Sequence, residues 1–170
     1  MNIQKLKKLQ KIISGGQTGV DQAALRAALE LEFRIGGWCP PGRICENSEI
    51  PSAFSLVETK NDRSPEAPDI PRSQRTEYNV RDSDATMILM PSEIQDDPGT
   101  VWTMKCARHY KRPFIIIDPY GSDAGKQIYD WLKRTSVNTL NIAGPSEDTS
   151  PGISNQTYQL LLKVFTNIKS

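Results

Sequence analysis

The segment Lys11-Ile12-Ile13-Ser14-Gly15-Gly16-Gln17-Thr18-Gly19-Val20-Asp21 is the most informative part of this chain. It opens with a short apolar run, continues with three glycines within five positions, and leads into an alanine-rich stretch. This pattern predicts a buried parallel strand, a tight turn and a helix. Glycine suits the turn because it tolerates positive φ and allows another group to approach the backbone closely.

A strand, a glycine-rich turn and a helix together point backbone N–H groups and the positive helix end at an anion, most often phosphate. We therefore expect an anion site at Gly15, Gly16, Gln17, Thr18 and Gly19, where the two polar side chains add donors. The alternative is a tight turn with no ligand. The segment matches neither the P-loop nor the dinucleotide pattern, so the anion is not specified.

Downstream, predicted strands alternate with predicted helices, which indicates an α/β fold with a parallel sheet covered on both faces. We predict a single domain over residues 1–170. The predicted strands are 35–39, 84–90, 113–118 and 139–143, with a brief one at 55–58, and the predicted helices are 21–31, 76–82, 100–110, 124–134 and 153–168.

Residues 43–75, called the loop-rich arm below, contain several prolines and no clear periodicity. A long irregular stretch in a compact domain is usually a binding loop, an interface arm or a partly disordered segment. The sequence leaves these three interpretations open.

The overall composition excludes some classes of function. The 170 residues include 21 Lys and Arg against 20 Asp and Glu, so the net field is close to neutral. Nucleic-acid and membrane-surface binding both favour a basic excess, and no apolar run approaches the ~20 residues of a membrane span. We expect a cytoplasmic protein that binds neither nucleic acid nor membranes.

The three cysteines, Cys39, Cys45 and Cys106, form no C-x-x-C pair, and His109 is the single histidine. A zinc site needs clustered ligands, and a serine hydrolase triad needs a histidine beside its nucleophile. We therefore expect no metal site and no catalytic cysteine, with the thiols buried in the core.

Further candidate residues follow from the rule that ligands bind beyond the carboxyl ends of parallel strands. Gly99 and Thr100 begin a predicted helix and are expected to face the glycine turn. Gly144, Pro145 and Glu147 follow the last predicted strand and are expected to close the rim, although Glu147 could equally belong to an ordinary turn.

The charged stretch 72–84 contributes Asn79, Arg81 and Asp82 as candidate ligand contacts, because arginine binds phosphate through paired hydrogen bonds. An exposed helix with short-range ion pairs explains the same residues equally well. Asp21 is a candidate for a ligand hydroxyl, or simply an acid favoured by the helix dipole. Trp38 is a candidate stacking platform, or a core residue.

Four motifs in order, Ser14–Asp21, Gly36–Pro40, Thr76–Thr86 and Asn141–Pro145 with Pro151-Gly152, resemble the putative molybdenum carrier family. This family is a branch of the Rossmann-like nucleotide-binding group that also contains the lonely-guy phosphoribohydrolases. The match runs from about Lys11 to the C-terminal helix. The resemblance implies a Rossmann-like doubly wound fold, a homo-oligomer, and a pocket for a nucleotide-like or molybdopterin-like ligand.

The hydrolase relatives carry a P-G-G-x-G-T-x-x-E motif with a catalytic glutamate. Here Asp96 and Asp97 occupy the two glycine positions and Thr103 stands at the glutamate position. We therefore favour binding without catalysis, of a phosphate-bearing pterin cofactor (molybdopterin) or a nucleotide, and assign no catalytic residue.

Two other functions stay open. The first is a hydrolase of an N-glycosidic or phosphate bond, whose acid or base would come from Asp21, Glu77, Asp82, Asp84 or Glu147. The second is a structural or signalling oligomer with a vestigial pocket, in which the loop-rich arm is the partner surface.

Overall fold

The structure is a computed structural model that describes residues 8–94 and 96–170. In chain order its elements are β1 (Lys11–Ile13), α1 (Val20–Glu30), β2 (Arg34–Gly36), β3 (Trp38–Cys39), a 3₁₀ turn (Pro41–Arg43), β4 (Ile44–Cys45), β5 (Ser48–Glu49), β6 (Val57–Glu58), α2 (Ser73–Arg81), β7 (Ala85–Leu89), α3 (Pro98–His109), β8 (Phe114–Ile117), α4 (Ala124–Thr135), β9 (Thr139–Ala143) and α5 (Ile153–Lys169).

The central sheet has five parallel strands in the order β2-β1-β9-β7-β8. Ile12 in β1 lies opposite Ile35 in β2 and Leu140 in β9, so the first and last strands are neighbours. Helices α1, α4 and α5 pack together on one face, and α2 packs against α3 on the other. The predicted Rossmann-like, doubly wound α/β fold is therefore confirmed.

The main core lies between the sheet and the α1–α4–α5 layer. Small residues on α1, such as Ala24, Ala27 and Ala28, are fully buried, which allows α5 to approach closely. The amphipathic stripe of α4 buries Ile128 and Trp131 in the same cluster. No helix within the described residues is both long and apolar enough to cross a membrane.

The predicted strand over 35–39 is wrong in one respect, because the chain breaks at Gly37, whose φ is 124°. The strand divides into β2, in the central sheet, and β3, which pairs in parallel with β6 in a separate two-stranded sheet. The predicted helix over 76–82 begins earlier, at Ser73, and the predicted brief strand over 55–58 corresponds to β6.

The loop-rich arm packs against its own chain. Cys45, Ile50, Phe54 and Leu56 join Leu25 of α1 and Cys39 in a second apolar cluster. The arm is held in shape by the guanidinium of Arg43, which donates hydrogen bonds to four backbone carbonyls. These belong to Ile50, Pro51, Phe54 and Leu56. The arm thus covers part of the glycine turn.

Candidate functional site

A polar cavity of about 60 Å³ lies at the carboxyl ends of the central strands, and we call it the strand-end cavity. Its walls come from the glycine turn, α2, the start of α3, β7 and the end of β9. The lining residues are Gly15, Asp21, Arg75, Thr76, Asn79, Ile88, Gly99, Thr100, Thr103, Asn141, Ile142, Ala143 and Gly144. The structure therefore brings six sequence-predicted residues together: Gly15, Asp21, Asn79, Gly99, Thr100 and Gly144.

Arg75 supplies the positive charge in this cavity. Its side chain is 17% exposed, and its guanidinium lies directly against the backbone of Gly15, where a Cβ atom would overlap it. Nη1 donates to the Oδ2 atom of Asp21 at 3.0 Å, whereas Nε is buried and has no partner within the described residues. A buried guanidinium N–H without an acceptor is costly, so this position favours an acceptor oxygen.

Asp21 is the negative partner of Arg75. Asp21 is 2% exposed, and its carboxylate also accepts a hydrogen bond from the backbone N–H of Gln17 at 3.2 Å. Burial raises the pKa of Asp21, and the charge of Arg75 and the Gln17 amide oppose that shift. The pair joins α2 to the first turn of α1 and partly neutralises the arginine.

The glycine turn is less open to a ligand than its sequence suggests. The N–H of Gln17 is bonded to Asp21, and the N–H of Thr18 donates to the Oε2 atom of Glu46 at 3.2 Å. Within the described chain, the backbone N–H groups of Gly15, Gly16 and Gly19 have no partner. Two of the amides in the expected anion site, those of Gln17 and Thr18, are thus already paired, because carboxylates of the same chain are drawn to these donors.

The Gln17 and Thr18 side chains are also engaged within the protein. The Nε2 atom of Gln17 donates to the carbonyl of Ile44 at 3.0 Å, and its Oε1 atom accepts from Arg72 at 2.8 Å. The Oγ1 atom of Thr18 accepts from the N–H of Glu147 at 3.2 Å. These contacts attach the turn to its neighbours. They use one amide N–H of Gln17 as a donor, whereas the Thr18 hydroxyl accepts and keeps its O–H as a donor.

Two of the turn glycines have positive φ, 80° at Gly16 and 81° at Gly19, as predicted. A Cβ atom at Gly16 would meet Ile50 and Leu56, and one at Gly19 would meet the backbone around Pro145. The close approach at both positions is therefore made by the protein itself.

The start of α3 forms the opposite wall. Asp97 caps this helix by accepting hydrogen bonds from the N–H and Oγ1 of Thr100 at 2.7 and 2.8 Å. Asp96 has a φ of 56°, which lies in the left-handed region. Glycine, the residue at this position in the motif of the hydrolase relatives, adopts this conformation more readily than aspartate does. Neither carboxylate lines the cavity. These two carboxylates would therefore repel a phosphate in the cavity less than carboxylates in its wall would. Thr103, at the glutamate position, lies in the wall.

Trp38, Arg81 and Asp82 lie outside the cavity, contrary to the sequence-based prediction. They form a surface cluster in which the Trp38 indole donates to Asp82 at 2.7 Å and Arg81 pairs with Asp82 at 2.8 Å. The hydrogen bond from Arg81 lowers the pKa of Asp82 most strongly, and the hydrogen bond from the Trp38 indole lowers it further. The helical repeat explains the separation, because Arg75 and Asn79 share the inner face of α2 whereas Arg81 does not. The Asn79 side chain itself is bonded to the backbone of Trp38.

Of the three predicted rim residues, Gly144 lines the cavity, whereas Pro145 and Glu147 do not. The Pro145 carbonyl accepts the N–H of Val20 at 3.2 Å, and the Glu147 carboxylate accepts backbone N–H groups of Gly152 and Ser154 at the start of α5. Glu147 is therefore a helix cap.

Sequence reasoning grouped Arg75 with its charged neighbours without selecting it, and it missed Thr76, Thr103 and Asn141. One signal was available, because Arg75 precedes Asn79 by one helical turn. Asn141 donates to the Oγ1 atom of Thr86 at 3.2 Å, a contact between adjacent strands that no local motif reveals. Within residues 8–94 and 96–170, no group of three or more histidine, cysteine or acidic side chains is placed to hold a metal ion.

The comparisons with known proteins agree with this architecture. Residues 12–165 match the sequence profile of the circularly permutated YpsA SLOG family. A crystal structure from Syntrophus aciditrophicus, described as a putative molybdenum carrier protein, is 36% identical, with a TM-score of 0.81 over 96% of this chain and 99% of that one. No curated protein is similar enough in sequence to count as a relative. Because the profile covers most of its length, this chain belongs to the circularly permutated YpsA SLOG family.

Proposed function

We propose that this protein binds a small ligand through an anionic group that enters the strand-end cavity and pairs with Arg75. The observation that carries this proposal is the buried Nε–H of Arg75, which lacks an acceptor within the described residues. Gly15, whose amide has no partner within the described residues, lines the same space.

The size of the cavity restricts what can enter it. The cavity has a volume of about 60 Å³. We infer that this small space receives a phosphate-sized group and that the rest of the ligand lies outside. We therefore favour a phosphate-bearing pterin, as in the molybdenum cofactor (molybdopterin), or a nucleotide. The description of the structural neighbour as a putative molybdenum carrier supports the first choice.

The test compares two arginines on the same helix. Calorimetric titrations with molybdopterin, AMP and pyrophosphate would use wild type, Arg75→Gln and Arg81→Gln. We expect Arg75→Gln to weaken binding at least about tenfold and Arg81→Gln to change it by less than about twofold. Absence of binding by wild type at millimolar ligand would overturn the proposal.

A hydrolase is the second candidate function, and the position of Asp21 favours it. Of the five carboxylates considered from the sequence, Asp21 alone lines the cavity. Burial raises its pKa, which suits a general acid or base. Release of phosphate or free base from nucleoside monophosphates, abolished by Asp21→Asn, would establish this activity. Equal turnover by the variant would exclude Asp21.

We also propose that the protein forms a homo-oligomer and is located in the cytoplasm. Strand β8 is at the edge of the sheet, and its Ile116 is 44% exposed. An exposed apolar edge strand supports the association of copies. Light scattering on the eluting protein would give the mass, and a monomer at all concentrations would contradict this part of the proposal.

A further inference from the structure

The outer side of the glycine turn is closed by residues 44–49, which we call the arm hairpin. This hairpin consists of β4 and β5, each two residues long, and Glu46 is at its tip. The Oε2 atom of Glu46 accepts the N–H of Thr18 at 3.2 Å. Its Oε1 atom is buried and has no hydrogen-bond partner within the described residues.

The hydrogen-bonding capacity of the Glu46 carboxylate is only partly satisfied by this contact. A carboxylate oxygen that is buried without a donor has lost its hydration and gained nothing in return. The backbone of Glu46 adds to the cost, because its φ of 21° lies where residues other than glycine are rare. Two-residue strands contribute little stability of their own. Apart from the buried side chain of Cys45, which packs in the apolar cluster with Leu25, the arm hairpin is therefore held closed by few favourable interactions.

The remaining hydrogen bonds from α1 and the turn to the hairpin come from glutamine side chains. The Nε2 atom of Gln17 donates to the carbonyl of Ile44, and that of Gln22 donates to the Sγ atom of Cys45 at 3.4 Å. Neither contact involves a charged pair, so both are weaker than charge-assisted hydrogen bonds. Displacement of the Glu46 carboxylate would thus remove the one charged link between hairpin and turn.

We propose that Glu46 competes with the ligand for the glycine turn, and that the arm hairpin opens when an anionic group replaces this carboxylate on the Thr18 amide. This inference rests on the proposed function. A carboxylate and a phosphate oxygen use the same backbone donor, so they cannot occupy it together. Opening would add the Thr18 amide to the unpaired amides of Gly16 and Gly19. The ligands that would gain affinity from this opening carry two linked phosphates, one of which pairs with Arg75 while the other accepts hydrogen bonds from the amides of the turn.

Pyrophosphate is the probe, and the variants are Glu46→Ala, Glu46→Gln, Arg75→Gln and the control Glu49→Gln in the exposed strand β5. We expect Glu46→Ala to bind pyrophosphate at least about fivefold more tightly than wild type, and Glu49→Gln to match wild type. Hydrogen exchange at the Thr18 amide should be faster in Glu46→Ala and slow again when pyrophosphate is added. If Glu46→Ala does not fold, Glu46→Gln replaces it in both measurements.

Failure of the competition and failure of the proposed function would give different results. Unchanged or weaker binding by the Glu46 variants, together with loss of binding in Arg75→Gln, would overturn the competition and leave the proposed function in place. Absence of pyrophosphate binding in wild type and in every Glu46 variant would overturn both.

Discussion

The guanidinium of Arg75 lies 3.0 Å from the carboxylate of Asp21, across the backbone of the glycine turn. The two residues are 54 positions apart in sequence and belong to different helices. Their pairing fixes the arginine at the strand-end cavity with its Nε–H still unpaired. The cavity therefore combines one positive group, one buried acid and several neutral polar side chains.

Gly15→Ala should abolish anion binding without altering the conformation of the turn. Gly15 is outside the positive-φ region, so alanine is tolerated by the backbone, but its Cβ atom would overlap the Arg75 guanidinium and displace it. We expect at least about a tenfold loss of affinity for pyrophosphate in calorimetry. Gly125→Ala in α4, which does not line the cavity, is the matched control, since its Cβ atom would make only ordinary contacts with Val164 and Leu160. Wild-type affinity in Gly15→Ala would contradict the placement of Arg75.

The buried acid predicts a specific pH dependence of stability. Burial raises the native pKa of Asp21 above its ordinary value of 3.8. Between these two values the native state binds more protons than the unfolded state, so the contribution of Asp21 to stability falls as pH rises. In urea titrations, the free energy of unfolding of wild type, minus that of Asp21→Asn, should therefore decrease as the pH rises above 3.8. An increase over this range would show that Arg75 outweighs burial.

Arg43→Ala should destabilise the loop-rich arm. The guanidinium bonds to four carbonyls, and hydrogen bonds to a charged donor contribute about 1.5–3 kcal/mol where they are buried. Since the side chain is partly exposed, we expect a loss of about 2–3 kcal/mol in the free energy of unfolding. Arg34→Ala, at an exposed position, should change it by less than about 0.5 kcal/mol. Equal losses in the two variants would contradict this role.

The thiols should be unreactive in the native protein. All three cysteines are buried, and burial raises the pKa of Cys106 to about 12. The thiolate is the reactive form, so modification by a disulfide reagent at neutral pH should be slow until denaturant is added. A rapid native reaction of one thiol per chain would contradict the buried positions.

Much of the fold was predictable because it depends on local patterns. The apolar run before Ser14, the alanines of α1 and the β-branched run of β8 identify their elements directly. The strand order was not predictable, because the last strand, β9, lies between β1 and β7. No local pattern encodes this neighbour relationship.

The candidate site was predictable where topology alone determines position. Gly15, Gly99 and Gly144 meet because each follows a parallel strand at the same edge of the sheet. The pairing of the turn amides with Asp21 and Glu46 was not predictable, since it depends on how the loop-rich arm folds back. The separation of Arg81 from the cavity was predictable, because Asn79 and Arg81 are two positions apart on a helix and cannot share a face.

The most direct test of the central claim follows the Nε–H resonance of Arg75 in ¹H–¹⁵N NMR spectra while pyrophosphate is added. The resonance is identified by its absence in Arg75→Gln. We predict a saturable shift of this signal, together with shifts of the Gly15 and Thr100 amides. Saturable binding of pyrophosphate that leaves the Arg75 resonance unmoved would contradict the proposed role of the strand-end cavity.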